Sequence, residues 1–221
     1  MFAAQGVSNA GRLAPPRAAA IAGIVFAVLM GVSLVLVRLA VPYQSDAGTW
    51  LTDPARRNAV RAAVQLAPFA GIAFLWFVGV LRNRLGPLED QFFATVFLGS
   101  GLLFVASLFA SAAFTGAVVE AVASGHVQLL NSDTYFLVRQ LIGEFLNVFA
   151  IKMAGVFMFS TSMIAFRTRI VPRGVAVLGF LCAVVLLLVI TSWPWIALLF
   201  PSWMLVISTT VLLLEFYRKA A

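Results

Sequence analysis

Apolar runs long enough to cross a bilayer recur along this chain, and they restrict its fold more than any other feature. The first opens at Ala18 and meets no charge until Arg38. A spanning helix needs about 20 such residues, because the hydrocarbon layer is roughly 30 Å thick and a helix rises 1.5 Å per residue. Lipid offers the backbone no hydrogen-bond partners, so a run of this length satisfies its own amides by coiling into a helix. Composition agrees: 62% of residues are hydrophobic and 10% charged, against roughly 45–50% and 25% for a soluble domain. The fold class expected is all-α, a polytopic membrane helix bundle.

Six transmembrane helices are expected, at about 18–41, 62–82, 92–119, 141–166, 174–192 and 195–216, within one domain over 18–217. Residues 1–17 read as a flexible basic leader and 218–221 as a short tail. Leader and first span together resemble a signal peptide, but the apolar stretch exceeds the usual length of about 7–15 residues and no good small-x-small site follows. A retained first helix is therefore expected. Gly23, Ala27 and Gly31 recur every four residues, and Ala63, Ala67, Gly71 and Gly79 mark a similar stripe. Small residues on one face let helix backbones approach closely.

Local signals place the ends. Asp53 can cap free amides and Pro54 suits the first helical position, so the second helix starts ahead of its membrane part and runs to about Leu85, with a kink at Pro68. Gly86-Pro87 ends it. The third segment is longer than a bilayer needs, so it tilts or projects. On it, Ser100, Ser107, Ser111 and Thr115 lie close to one face; hydroxyls bonded to their own helix or a neighbour are expected, with a polar pathway as the alternative. Asn131-Ser132-Asp133-Thr134 supplies caps for the fourth helix, which continues to about Arg167. Trp193-Pro194-Trp195 turns the chain between the last two spans, and Pro201 is expected to bend the last.

The net charge of +7 is distributed in short clusters beside the apolar runs, which fits membrane topology and not nucleic acid. With both termini cytoplasmic, the inner side holds Arg12, Arg17, Arg82, Arg84, Arg167, Arg169, Arg173, Arg218 and Lys219, and the outer side Arg38, Arg56, Arg57, Arg61 and Arg139. Nine against five favours that orientation. The outer arginines partly accompany Asp46, Asp53, Glu120 and Asp133. Tyr43, Trp50, Tyr135, Trp193 and Trp195 then form an outer aromatic belt, with Phe92, Phe93 and Tyr217 inside. Short basic inner loops suit a bacterial plasma membrane crossed several times.

Lys152 stands inside the fourth apolar run. Counting about 20 residues back from Arg167 puts the outer boundary near Asn147 and Lys152 about 7 Å inside it. An ammonium there must snorkel, meet water or find a partner. At 100° per residue from Arg139, Asn147 falls near 80°, Gln140 near 100°, Glu144 near 140° and Lys152 near 220°. One side of the helix is thus polar, and Gln140, Glu144, Asn147 and Lys152 form a candidate cavity. The competing expectation is structural, with Lys152 bonding carbonyls, Asn147 or Glu144 within the bundle. Glu144 and Lys152 are two turns apart, so Glu120, Arg139 or another helix is a further candidate partner for this pair.

Other polar residues say less. Glu89-Asp90 reads as charge balance beside Arg82 and Arg84, and His126 as a solvated loop residue, with pH sensing as the alternative. Cys182 can form no internal disulfide and reads as a small apolar filler. A single histidine excludes a haem held by two histidines of one chain and a His-rich metal site; no metal, cofactor or catalytic residue is expected. No nucleophile elbow, phosphate-cradling glycine loop or metal-spaced histidine pair occurs.

The segments Phe74-Leu75-Trp76-Phe77-Val78-Gly79-Val80-Leu81-Arg82 and Phe92-Phe93-Ala94-Thr95-Val96-Phe97-Leu98-Gly99-Ser100-Gly101 resemble uncharacterised multi-helix membrane proteins of high-GC Gram-positive bacteria. Arg167–Phe180, with Val171-Pro172-Arg173 opening a helix, is similar to bacterial membrane families of unknown function. The resemblance implies a bacterial plasma-membrane protein and carries over no functional residue. The function expected is a non-enzymatic scaffold or accessory subunit in the lipid bilayer, with a membrane-protein partner or a second copy as candidate contacts. The alternatives are a small-solute or ion transporter or receptor with an outward polar cavity around Lys152, and an intramembrane lipid-modifying enzyme using Glu144.

Overall fold

The computed structural model describes residues 16–42, 48–85, 91–168, 171–188 and 195–220. Among them the chain is almost wholly helical, with no strand. Six principal helices follow in order: α1 Pro16–Ala40, α2 Pro54–Leu85, α3 Gln91–Ala123, α4 Asp133–Thr168, α5 Arg173–Leu188 and α6 Leu199–Ala220. Five of them, all except α5, are long and apolar enough to cross a membrane. The expectations for residues 1–15, Tyr43, Asp46, Gly86-Pro87, Glu89-Asp90, Arg169 and Trp193-Pro194 lie outside the described residues, as do the side chains of Arg84, Phe92, Phe93, Arg218 and Lys219.

Helix starts follow the capping chemistry of the sequence. The Ala55 amide donates to Asp53 Oδ1 at 2.9 Å, directly ahead of Pro54 at the first position of α2. The Tyr135 amide donates to Ser132 Oγ at 3.3 Å where α4 begins. Helix α2 continues unbroken through Pro68. Pro201 sits in the first turn of α6, where a missing amide costs no intrahelical bond, so it begins that helix instead of bending its middle.

Each helix packs on its sequence neighbours, and α6 closes back onto α1. Phenylalanines fill the centre: Phe26 of α1, Phe74 of α2, Phe97 and Phe104 of α3, Phe157 of α4 and Phe200 of α6. Phe74 stands 5.0 Å from Phe26, 5.2 Å from Phe104, 4.9 Å from Phe157 and 5.8 Å from Phe200, centroid to centroid. Most of these pairs are tilted or edge-on, the arrangement that the ring quadrupole favours.

Close approach around this centre uses the small residues unequally. Gly23 lies against Ser208 and Phe77, and Gly71 against Phe109, whereas a side chain at Gly31 or Gly79 would meet nothing within 4 Å. Gly179 of α5 is pressed on Ser162 of α4 and the Trp203 indole of α6. Outside, large apolar side chains remain exposed on all six helices, among them Val28, Phe69, Trp76, Leu103, Phe149, Leu181 and Leu213. In water such a continuous apolar exterior would drive association; in lipid it is the solvated surface.

The four hydroxyls of the α3 stripe are bonded within their own helix or to a neighbour. Ser100 donates to Val96 O, Ser107 to Leu103 O and Thr115 to Ser111 O, each one turn back, while Ser111 crosses to Ile142 O of α4 at 3.2 Å. This is the non-pathway expectation for all four residues.

Candidate functional site

Helix α4 is not uniformly α-helical. Glu144–Ala150 widens into a π-helical turn between the α-helical stretches Asp133–Gly143 and Ile151–Thr168. Bonds reaching five residues ahead place more residues in each turn, so angular positions counted at 100° per residue no longer hold across this segment. The Ser111 hydroxyl braces its entrance at Ile142 O.

The four polar residues expected to share a cavity differ in exposure and in partners. Gln140 and Glu144 are exposed. Lys152 is half-buried and reaches α5, where its Nζ donates to Leu187 O at 2.7 Å and Leu186 O at 3.2 Å. These carbonyls belong to the last described turn of α5, and the final four carbonyls of a helix have no partner within it. A cation at a helix C-terminus also meets the negative end of the macrodipole. Lys152 is therefore a C-terminal cap supplied from the neighbouring helix. Glu120, another candidate partner, instead accepts from Arg61 at 2.8 Å on the surface.

Of the four, Asn147 lines a cleft. The space measures about 370 Å3 and opens at the end of the bundle where α1 finishes and α2 begins. Arg38 comes from the last turn of α1, Trp50 from the short 3-10 turn Thr49–Thr52, Arg139 and Tyr135 from α4, and Trp195 from the approach to α6. Arg38 Nη2 donates to Asn147 Oδ1 at 3.4 Å, so the π-helical turn supplies an acceptor that orients one arginine. No carboxylate is among the described lining residues.

A small second core holds this end together. Ala40, Leu51, Val60, Val118, Val119, Val122 and Tyr135 are buried as one cluster beneath the cleft. Leu51 is fully enclosed, which anchors the 3-10 turn and with it Trp50. Gly48, just ahead, has φ +87 and lies against the Tyr135 ring. A side chain there would be strained by the left-handed backbone and would collide with Tyr135.

Sequence reasoning treated Arg38 and Arg139 as topology charges and Trp50, Tyr135 and Trp195 as a belt. Five residues assigned to one side for separate reasons thus converge on one concavity. The signal was their coincidence at one end of the chain's helices. Among the described residues no group of three or more His, Cys, Asp or Glu side chains is gathered as a metal site would require. His126 is exposed in its loop.

Fold and site together define an all-helical bundle with membrane-length apolar helices and one arginine- and aromatic-lined cleft at an end. No protein family, curated protein or solved structure matches the chain.

Proposed function

We propose that this chain is a non-enzymatic, six-span protein of a bacterial plasma membrane, both termini cytoplasmic, that binds a small anionic ligand in an outward-facing cleft. The observation that carries this is the cleft of about 370 Å3 with Arg38 and Arg139 in its wall. That size falls in the range of small-molecule sites, about 300–1,000 Å3. Guanidinium groups suit carboxylate or phosphate, which they can meet with two parallel bonds. Trp50, Tyr135 and Trp195 offer rigid amphipathic walls beside them.

The orientation rests on the nine-to-five distribution of basic residues. The sixth span requires α5 to cross; its 16 described residues, Arg173–Leu188, extend about 24 Å.

The test is thermal unfolding of the detergent-purified protein against a panel of carboxylates, phosphates and matched amines. Anions are expected to raise the melting temperature, and Arg38→Gln with Arg139→Gln is expected to abolish that rise while leaving the unliganded protein folded. Stabilisation by amines as strong as by anions, or no response to any anion, would refute the proposal. Cysteine labelling at Gln128, in a Cys182→Ala background, checks orientation: an impermeant maleimide should react from outside intact cells.

A further inference from the structure

Helix α4 stores extra backbone between two stretches that are held in place. Upstream, Tyr135 is buried in the second core and the Ser111 hydroxyl holds Ile142 O. Downstream, Phe157, Met158 and Ser162 are fully enclosed. Between them the hydrogen-bond ladder changes step. The Glu144 amide is shared between Gln140 O and Leu141 O, Glu144–Ala150 follows the π pattern, and the Ile151 amide bonds to Val148 O, only three residues back. Such a turn holds one residue more than the α-helical path needs, and π turns concentrate at functional sites. Two side-chain bonds lie at it. Asn147 Oδ1, inside the turn, accepts from Arg38 at 3.4 Å, and Lys152, just past it, donates to Leu187 O of α5 at 2.7 Å. Glu144, Val148 and Phe149 are exposed on the outer side of the turn. On its inner side a space of about 20 Å3 lies among Leu146, Ala150, Ile151 and Leu186.

From these features we infer that the π turn is a register switch linking the cleft wall to the capped end of α5. The two packed stretches of α4 stay where they are, and the extra residue moves along between them. Each residue it passes turns by about 100° and advances by about 1.5 Å, one α-helical step. A step toward Thr168 carries Asn147 away from Arg38 and Lys152 away from the α5 carbonyls, so the two bonds form and break together. Coupling of this kind is reciprocal, and its physical warrant is a single element whose position both bonds bias. An occupant of the cleft that takes Arg38 from Asn147 thereby loosens the last described turn of α5, whatever the charge of that occupant.

The test is hydrogen exchange of the full chain in bicelles, read by mass spectrometry. Asn147→Leu keeps the size of the side chain and removes the acceptor. It is expected to speed exchange by about threefold or more in the last described turn of α5 and to leave α3 unchanged. Lys152→Met is expected to speed exchange within Glu144–Ala150 by a similar factor. Deleting Val148, an exposed residue of the turn, takes out the extra residue. That protein is expected to fold with α5 still protected, and Asn147→Leu added to it is expected to leave α5 exchange unchanged. Deleting Phe159, from the regular stretch Ile151–Thr168, rotates everything after it and is expected to abolish folding. Unchanged α5 exchange in Asn147→Leu, or an unchanged turn in Lys152→Met, overturns the coupling, as does an acceleration that extends equally to α3. The same α5 acceleration with Val148 deleted overturns the π turn as its carrier. A Val148 deletion as damaging as the Phe159 deletion overturns the inserted residue on which the switch stands.

Discussion

Replacing Lys152 with methionine, nearly the same length without the charge, tests the cap directly. The bond to Leu187 O, at 2.7 Å, is as short as charge-assisted bonds become, whereas that to Leu186 O, at 3.2 Å, is at the long end. A hydrogen bond to a charged group contributes about 1.5–3 kcal/mol and an ordinary one about 0.5–1.5. Taking one of each, the gross loss is about 3 kcal/mol. Methionine also removes the cost of holding a half-buried ammonium in lipid, on the order of 1–2 kcal/mol when scaled from the ~2.5–3.5 assigned at a bilayer centre. The net expectation is a destabilisation of about 1–2 kcal/mol, read from reversible unfolding in bicelles. Hydrogen exchange should accelerate in the last turn of α5 while α3 stays unchanged, because the cap acts on that helix end. Lys152→Arg, which keeps the charge and donors, should recover part of the loss. A Lys152→Met protein as stable as the wild type, with unchanged exchange in α5, would refute the capping argument.

Three further substitutions probe the packing. Gly179→Ala should destabilise by about 1–3 kcal/mol, since its methyl group would collide with Ser162 and Trp203, whereas Gly79→Ala, with nothing within 4 Å, should be neutral or stabilising by up to about 1 kcal/mol through helix propensity; paired thermal melts compare them. Phe74→Ala should cost about 2 kcal/mol in bicelle unfolding, below the roughly 3–5 typical of water-soluble cores, because lipid removes most of the transfer contribution and leaves the cavity. For Arg61 and Glu120, paired at 2.8 Å but exposed, a double-mutant cycle should give a coupling of about 0.2–1 kcal/mol that falls as salt is added.

Much of the fold was legible because its determinants are local. Asp53 and Ser132 cap helices from their own sequence neighbourhood, and Ser100, Ser107 and Thr115 bond carbonyls four residues back. Neither kind of contact depends on how the helices pack. The carbonyl-bonding expectation for Lys152 named the right chemistry, and another helix was among its candidate partners, but which helix was not legible. That choice depends on which helix lies alongside.

The cleft was hidden for a different reason. Arg38 and Asn147 are 109 residues apart, and a one-dimensional count treats one as a helix-end charge and the other as a position on a regular wheel. The π-helical turn at Glu144–Ala150 breaks that wheel, and no glycine or proline inside the segment announces it. The phenylalanine centre was equally silent, because 20 phenylalanines are as much at home facing lipid as facing one another.

By itself, then, the amino-acid sequence determined that the chain is helical, that its apolar surface needs lipid, and roughly where its helices begin and end. These follow from hydrogen-bond satisfaction and transfer energies, which act residue by residue. Only the tertiary structure decided that Lys152 caps α5, that Asn147 meets Arg38, and that three belt aromatics surround one cleft. In lipid the inside and outside of a bundle have the same polarity, so hydrophobicity cannot tell a packed face from a solvated one; shape complementarity between helices makes that choice.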